Sequence, residues 1–120
     1  MPIKTERKDK MALQHFDEES FQEALTSKQL MMVDFWATWC GPCRMLGPVI
    51  EQLAEEYEDQ DVLIGKVDVD ENPALAQRYG VMSIPTVIFF KNGEEFDRKV
   101  GAMAAEAYAD TLDEALETEE

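Results

Sequence analysis

Cys40 and Cys43 are the two cysteines of the chain, and they lie within the segment Trp39-Cys40-Gly41-Pro42-Cys43. An apolar run precedes this segment and a helical pattern of apolar residues follows it, so we expect a strand to deliver the pair to the first turn of a helix. Unpaired backbone N–H groups and the positive end of the helix dipole stabilise an anion there. Because the thiolate is the nucleophile of thiol–disulfide exchange, this placement predicts a redox-active pair.

Gly41 and Pro42, which separate the cysteines, suit the start of a helix. Proline at the first helical positions loses no hydrogen bond, because its missing N–H would have had no partner there. Cys43 then faces the same side of the first turn as Cys40, with roughly 5–6 Å between the two Cβ atoms. A disulfide needs about 3.5–4.5 Å, so a small adjustment forms or opens the bond, and we expect it to be reversible.

Three other roles for the cysteine pair compete with redox chemistry. A structural disulfide between such near neighbours closes too small a loop to constrain the unfolded chain much. A zinc site needs about four ligands, whereas the chain has two cysteines and one histidine, His15, so we predict no metal site. Two inert core thiols remain an open alternative, although a Gly-Pro insert and Trp39 are poor core filler.

The length of 120 residues and the hydrophobic content of 45% predict one folded domain with a single core. We predict a flexible amino-terminal tail over residues 1–11, the domain over 12–117 and an acidic end over 118–120. The amino terminus has no apolar segment behind its charges, which predicts no signal peptide. No apolar run is long enough to cross a bilayer. We therefore expect a cytoplasmic protein with no membrane partner, where a lone cysteine pair is more often catalytic than structural.

The net charge of −15 is large for a chain of this size. A nucleic-acid partner is disfavoured, because phosphate binding needs basic clusters and the long acidic stretches of this chain contain none. We interpret the charge as a solvated acidic surface that aids solubility, with a dedicated docking face as the alternative. In both cases encounters with basic partners should be faster and sensitive to salt.

The hydrophobic pattern predicts an α/β protein with strands in the middle, helices on both sides and one hairpin at an edge. We expect a first helix capped by Asp17, strands near 30–37, 62–69, 86–90 and 95–100, and a helix after Cys43 that continues through Pro48. A short helix should end at Gly80, and Asn92-Gly93 should form the hairpin turn before a closing helix over 104–116. We expect Met31, Met32 and Met45 to fill the core and His15 to lie at a surface or strand end.

Asp34 and Lys66 do not fit plain core strands. Burial of a carboxyl raises its pKa. Asp34 lies just before the cysteine turn and is therefore a candidate proton acceptor for the second thiol. The alternative is a structural role, in which the carboxyl is a buried polar group with its hydrogen bonds satisfied. Lys66, in the next buried strand, is the natural counter-charge of Asp34, or else an edge lysine that reaches water.

Pro85 begins a predicted strand and has no N–H to donate to a neighbouring strand. The backbone around it is therefore a candidate for binding a ligand.

Eight segments of the chain, in this order, resemble the thioredoxin family. The resemblance covers about residues 12–117. Its segments are Asp34-Phe35-Trp36-Ala37, Trp39-Cys40-Gly41-Pro42-Cys43-Arg44, Pro48, Lys66-Val67-Asp68-Val69-Asp70, Tyr79-Gly80-Val81, Ile84-Pro85-Thr86, Lys91-Asn92-Gly93 and Val100-Gly101-Ala102. The resemblance implies the thioredoxin fold, with a central mixed sheet flanked by helices on both faces.

The resemblance also implies a mechanism and a set of site residues. Cys40, as an exposed thiolate, attacks a disulfide in a target protein, and the buried Cys43 resolves the mixed disulfide, while Asp34 and Lys66 manage the proton of Cys43. Pro85 is expected to be a cis proline. Trp39, Gly41 and Pro42 complete the active-site motif, and the implied substrate-binding residues are Gly80, Ile84, Pro85, Thr86, Gly101 and Ala102.

The implied partners are disulfide-containing target proteins and a thioredoxin reductase that draws on NADPH and restores the dithiol. The chain itself is expected to bind no cofactor and to act as a monomer. Two alternatives remain: a disulfide oxidase or isomerase, and a non-catalytic docking subunit on the same scaffold. Two segments depart from the family pattern, Met82-Ser83 and Met103-Ala104-Ala105. Both are expected on the rim of the site, where they would affect partner preference rather than chemistry.

Overall fold

One five-stranded mixed sheet forms the middle of the computed structural model, which describes residues 13–27 and 29–118. Its strands are β1 (Gln14–His15), β2 (Leu30–Trp36), β3 (Val62–Asp68), β4 (Thr86–Lys91) and β5 (Glu94–Val100). They lie side by side in the order β1-β3-β2-β4-β5. β3 runs parallel to both β1 and β2, whereas β4 is antiparallel to β2 and β5. The sheet is therefore mixed, with β2 at its centre.

Four helices cover the two faces of this sheet. They are α1 (Glu18–Thr26), α2 (Gly41–Glu56), α3 (Pro73–Arg78) and α4 (Ala105–Glu117). Because successive strand residues point to opposite faces, Met32 and Phe89 pack with α2 and α4 on one side. Met31 and Phe90 pack with α1 and α3 on the other. The α/β architecture predicted from the sequence is confirmed.

Local signals explain where two of these elements begin and turn. Asp17 caps α1: its carboxylate accepts from Ser20 N at 2.8 Å, and the Ser20 hydroxyl accepts from Asp17 N at 2.9 Å, which satisfies two free N–H groups of the first turn. Asn92 and Gly93 have φ of 57° and 83° and join β4 to β5. Such positive φ values are what a tight hairpin turn requires. Both predictions are confirmed.

The structure differs from the sequence-based predictions at Met45 and at β1. Met45 does not fill the core, since it is 76% exposed, whereas Met31 and Met32 are buried; Met45 lies on the outer side of α2. The pattern also did not predict β1, which is only two residues long and pairs with Gly65 and Lys66. His15 is exposed at its end, as expected.

The predicted boundaries at 1–11 and 118–120 fall mostly outside the described residues, so the tail and the acidic end remain predictions. Within the part of the chain that the structure describes, no helix is both long and apolar enough to cross a bilayer.

Candidate active site

The cysteine pair lies at the amino-terminal end of α2, just beyond the end of β2. Cys40 is the N-cap residue, and Cys43 belongs to the first turn. The two form a disulfide with their Cα atoms 5.2 Å apart. The backbone N–H of Cys43 points at the sulfur of Cys40, with 3.2 Å between N and Sγ. An anionic sulfur at residue 40 would therefore receive a hydrogen bond as well as the favourable end of the helix dipole.

Both cysteines are nearly buried in the disulfide form. Cys40 is 5% exposed and Cys43 is 1% exposed. The pair packs with Ala37, and the partly buried side chains of Trp36, Val69 and Ile84 pack against it. The exposed Cys40 that the resemblance implies is the thiolate of the reduced protein, so that expectation stays a prediction.

Asp34 lies in the middle of β2 and is completely buried. Neither carboxylate oxygen has a hydrogen-bond partner among the described residues. Burial raises the pKa of Asp34 to about 7, and the positive charge of Lys66 partly opposes this rise. A carboxyl with a pKa near neutrality can both take up and release a proton at physiological pH.

Lys66 is the direct neighbour of Asp34 across the parallel β2–β3 pair. Its side chain is partly exposed, and its ammonium lies 4.2 Å from the centroid of the Trp36 ring. The position thus combines both roles considered from the sequence: the lysine reaches toward water, and its charge still acts on the buried carboxyl. The Trp36 ring holds the ammonium by a cation–π contact.

The loop before β4 faces the cysteines. Its Ile84–Pro85 bond is cis, and the carbonyl oxygen of Ile84 lies 3.8 Å from Cys40 Sγ. The Pro85 carbonyl is not free, since it accepts from Gly101 N at 2.8 Å. Thr86 is buried, and its hydroxyl donates to Ser83 O at 2.6 Å. Thr86 therefore braces this loop, and its predicted role in substrate binding stays a prediction.

We call the loop that carries the cis Ile84–Pro85 bond the proline loop. A mostly apolar groove runs beside the disulfide between α3 and this loop. Trp39, which is 68% exposed, forms one wall and is fixed by donation from its indole N–H to Asp70 at 2.8 Å. Met82 is 92% exposed at the rim. The lining residues are Trp39, Val69, Pro73, Ala76, Gln77, Val81, Met82 and Ile84.

The other predicted site residues surround this arrangement. Gly41 and Pro42 are exposed at the start of α2, and Gly80 lies next to the groove residue Val81. Gly101, which has a φ of 93°, is partly exposed and bonded to the proline loop, and Ala102 is exposed beside it.

Sequence reasoning did not single out two residues that form hydrogen bonds around the site, Asp70 with Trp39 and Tyr108 with the loop of residues 101–104. Asp70 follows β3, and β2 and β3 are parallel, so their carboxyl ends meet at the edge of the sheet that carries the cysteines. That rule would have placed Asp70 near Trp39. Tyr108 lies inside an ordinary amphipathic pattern, and no sequence signal distinguishes it. Among the described residues, no cluster of histidine, cysteine or acidic side chains is arranged to hold a metal ion.

Comparison with known proteins identifies the family. The thioredoxin family model matches residues 12–114. Thioredoxin 1 of Synechococcus elongatus is 50% identical over 95 residues, covering 79% of this chain and 88% of the relative. A thioredoxin of Staphylococcus aureus is 54% identical over 88 residues, covering 72% and 83%.

A solved structure agrees with these sequence matches. A point-mutant thioredoxin from Halobacterium salinarum superposes with a TM-score of 0.80 at 36% identity, over 90% of this chain and 94% of that one. The fold, the Cys-X-X-Cys pair at disulfide distance and the sequence matches agree with one another. The chain therefore belongs to the thioredoxin family and is a protein-disulfide reductase.

Proposed function

We propose that Cys40 is the nucleophile of this reductase and that Cys43 resolves the intermediate. In the reduced protein, the Cys40 thiolate attacks one sulfur of a target disulfide, a mixed disulfide forms and the other target sulfur leaves as a thiolate. The Cys43 sulfur then attacks Cys40, which closes the intramolecular disulfide and releases the second target thiol. The target gains two electrons and two protons, and the dithiol loses them.

The observation that carries this assignment is the Cys43 N–H aimed at Cys40 Sγ at the start of α2. Only the first of the two sulfurs occupies the N-cap position, where hydrogen bonding and the helix dipole both favour an anion. Cys43 is 1% exposed, against 5% for Cys40, and it lies within the first turn of the helix, which suits an intramolecular attack.

We assign to Asp34 the removal of the proton from Cys43. Support comes from its complete burial, the lack of hydrogen-bond partners among the described residues and a pKa of about 7. Such a group can accept a proton and release it again near neutral pH. Lys66 makes the charged form of Asp34 less costly, because its ammonium belongs to the directly opposed residue.

Targets bind, in this proposal, against the groove beside Trp39 and against the loops that carry Gly80, Ile84–Pro85 and Gly101–Ala102. Gly41 and Pro42 contribute the exposed surface at the helix start. The exposed Met82 and the apolar groove lining favour target segments with apolar side chains next to their disulfide.

The partners we propose are disulfide-containing proteins and a thioredoxin reductase that uses NADPH to restore the dithiol. The protein acts as a cytoplasmic monomer with no cofactor of its own, and it binds neither nucleic acid nor membranes. Membership in the thioredoxin family supports the proposed target proteins and reductase. The net charge of −15 argues against binding to polyanions such as nucleic acids.

Trapping the intermediate tests the assignment of the two cysteines. Incubation of reduced Cys43→Ser with insulin should accumulate a mixed disulfide at Cys40 that dithiothreitol reverses, whereas Cys40→Ser should neither trap nor reduce insulin. Met45→Leu, an exposed change on the same helix, is the control and should behave as wild type. Trapping by Cys40→Ser instead of Cys43→Ser would reverse the roles, and retained biological activity in Cys40→Ser would favour a docking scaffold.

A second measurement separates a reductase from an oxidase or isomerase. Equilibration with glutathione should give a reducing potential for the Cys40–Cys43 pair. A potential as oxidising as that of the disulfide-forming enzymes would contradict the proposal.

A further inference from the structure

Tyr108 is a buried tyrosine on α4 whose hydroxyl reaches the loop of residues 101–104, which we call the β5–α4 loop. The hydroxyl accepts from Met103 N at 3.1 Å and is placed to donate to Gly101 O at 3.4 Å. The aromatic ring packs in the core cluster that also holds Leu46 and Val87. One side chain thus joins the core to a loop on the edge of the site.

The hydroxyl, rather than the ring, is the feature that requires an explanation. Burying a hydroxyl is unfavourable unless hydrogen bonds replace those it made to water, and a phenylalanine ring would fill the same space in the cluster. The loop also lacks another common anchor, because Ala104 is the N-cap of α4 and provides no side-chain cap. The Tyr108 hydroxyl instead bonds to Met103 and Gly101, which precede the N-cap residue, so it is the described side-chain anchor of this loop.

The same loop is bonded to the proline loop that faces the cysteines. Gly101 N donates to Pro85 O at 2.8 Å, and the preceding carbonyl, that of Ile84, lies 3.8 Å from Cys40 Sγ. Gly101 has a φ of 93°, which side chains rarely tolerate. A continuous path therefore runs from the Tyr108 hydroxyl through Gly101 and Pro85 to the surface next to the disulfide.

We propose that the Tyr108 hydroxyl is a positioning group that holds the β5–α4 loop in the conformation that docks protein targets. Tyr108 does not touch the reacting sulfurs; it acts through Gly101 and Met103. The inference rests on the proposed docking role of Gly101 and Ala102. It predicts an effect on the binding of protein disulfides and none on the chemistry of the cysteine pair.

Tyr108→Phe is the direct test, because it removes the hydroxyl and keeps the ring. Single-turnover oxidation of the reduced protein by insulin, followed by tryptophan fluorescence, gives a half-saturation concentration and a limiting rate. We expect the half-saturation concentration to rise roughly fivefold, as for the loss of an ordinary hydrogen bond, with the limiting rate and the reduction potential unchanged. The rate with oxidised glutathione, which is too small to reach the loop, should also stay the same.

Tyr57→Phe is the matched control. Tyr57 also uses its hydroxyl to contact α4, donating to Asp113 at 2.6 Å, but the hydrogen bonds of this hydroxyl go to α4 and not to the β5–α4 loop. Its removal should leave the half-saturation concentration unchanged. An equal rise in both variants would mean that loosening α4 is enough, and the proposal for Tyr108 would be overturned.

Ala102→Gln separates failure of this inference from failure of the docking role on which it rests. If Ala102→Gln weakens insulin binding and Tyr108→Phe does not, the loop docks targets and Tyr108 does not position it. If neither variant changes binding, both ideas are wrong. If Tyr108→Phe alone changes it, the effect does not pass through this loop and the inference fails.

Amide hydrogen exchange on the unaltered protein provides a test that needs no variant. The Met103 amide should exchange more slowly than that of the neighbouring exposed Ala102, because the Tyr108 hydroxyl accepts its hydrogen. Exchange of Met103 at the rate of an unprotected amide would overturn the proposal.

Discussion

Asp34 combines complete burial with the lack of any hydrogen-bond partner among the described residues. A buried carboxyl in this situation destabilises the fold whenever it is charged. The folded protein holds the proton of Asp34 up to its raised pKa of about 7, whereas the unfolded chain releases it near 3.8. The free energy of unfolding should therefore fall as the pH rises between these two values.

Asp34→Asn should remove this loss of stability, because the amide stays neutral at every pH. Near pH 4, at the start of this range, the oxidised variant and wild type should be similarly stable. At pH 8 the variant should be more stable by up to about 4 kcal/mol, since each pKa unit corresponds to about 1.4 kcal/mol. Denaturant unfolding at both pH values measures the difference. Equal stabilities at pH 8 would show that the carboxyl is not held neutral by burial.

Lys66→Met should raise the pKa of Asp34 further, because it removes the positive charge that favours the carboxylate. Observing the Asp34 carboxyl carbon by NMR over a pH titration gives the value directly. Lys99→Met is the control, since Lys99 lies on β5 and pairs with Asp97 at 3.1 Å. A lower or unchanged pKa of Asp34 in Lys66→Met would contradict the assignment of Lys66 as its counter-charge.

At this scale the sequence was most informative where a single element holds the residues. The Cys40–Cys43 spacing follows from one helical turn, and the burial of Asp34 follows from the apolar run around it. The direct pairing of Asp34 with Lys66 also depends on which strands are neighbours and in what register. The burial of Cys40 and the inward hydroxyl of Thr86 depend instead on how residues 83–85 pack onto the cysteine turn. That packing joins positions more than forty residues apart, and no local pattern reports it.

Two of the elements that carry the site, α2 and β3, each contain a buried glycine, and the space around the two glycines differs. A Cβ built on Gly65 of β3 would collide with the ring of Phe16, whose Cδ2 lies 2.9 Å away. Phe16 is itself buried in the core cluster beneath α1 and α3, so it has little room to move. Apart from its two chain neighbours and the backbone of its own helix, nothing lies within 4 Å of the same atom built on Gly47 of α2.

Gly65→Ala should therefore destabilise the protein by about 1–3 kcal/mol, the usual cost of overpacking a core. Gly47→Ala is the matched change on α2 and should alter the stability by less than about 0.5 kcal/mol, because the better helix propensity of alanine is opposed by the steric restriction that Pro48 places on the residue before it. Denaturant unfolding of both variants gives the comparison. A stabilising Gly65→Ala would mean that the Phe16 ring does not pack against Gly65 as described.

Most elements could be predicted from the sequence, because helix capping, the periodicity of apolar residues and the residue preferences of tight turns are all local. Asp17 caps α1, Gly80 follows α3 with a φ of 63°, and α2 continues through Pro48. The exception is β1, which is too short to show alternation and exists through its pairing with β3. The order of the strands and their directions are likewise set by long-range pairing, which periodicity does not reveal.

The whole molecule carries a net charge of −15, and its described part has extents of 40 × 32 × 28 Å. At about 0.01 M salt the screening length is roughly 30 Å, so charges across the entire molecule repel one another. At about 1 M salt it is roughly 3 Å, and only adjacent charges interact. Acidic repulsion therefore acts against the compact state mainly at low ionic strength.

The Tm at pH 7 should accordingly rise between low and high sodium chloride. Calorimetry near pH 4.3, close to the isoelectric point, provides the control, because the net charge is then small and the salt effect should shrink. The same increase at both pH values would contradict an origin in charge repulsion.

The central claim is that the Cys40 sulfur is an activated thiolate in the reduced protein. The rate of alkylation by iodoacetamide at Cys40, mapped by mass spectrometry over a range of pH, tests this most directly. The position of Cys40 at the N-cap of α2, with the Cys43 N–H aimed at its sulfur, predicts a midpoint clearly below that of a free cysteine. A midpoint at or above that of free cysteine would contradict the account.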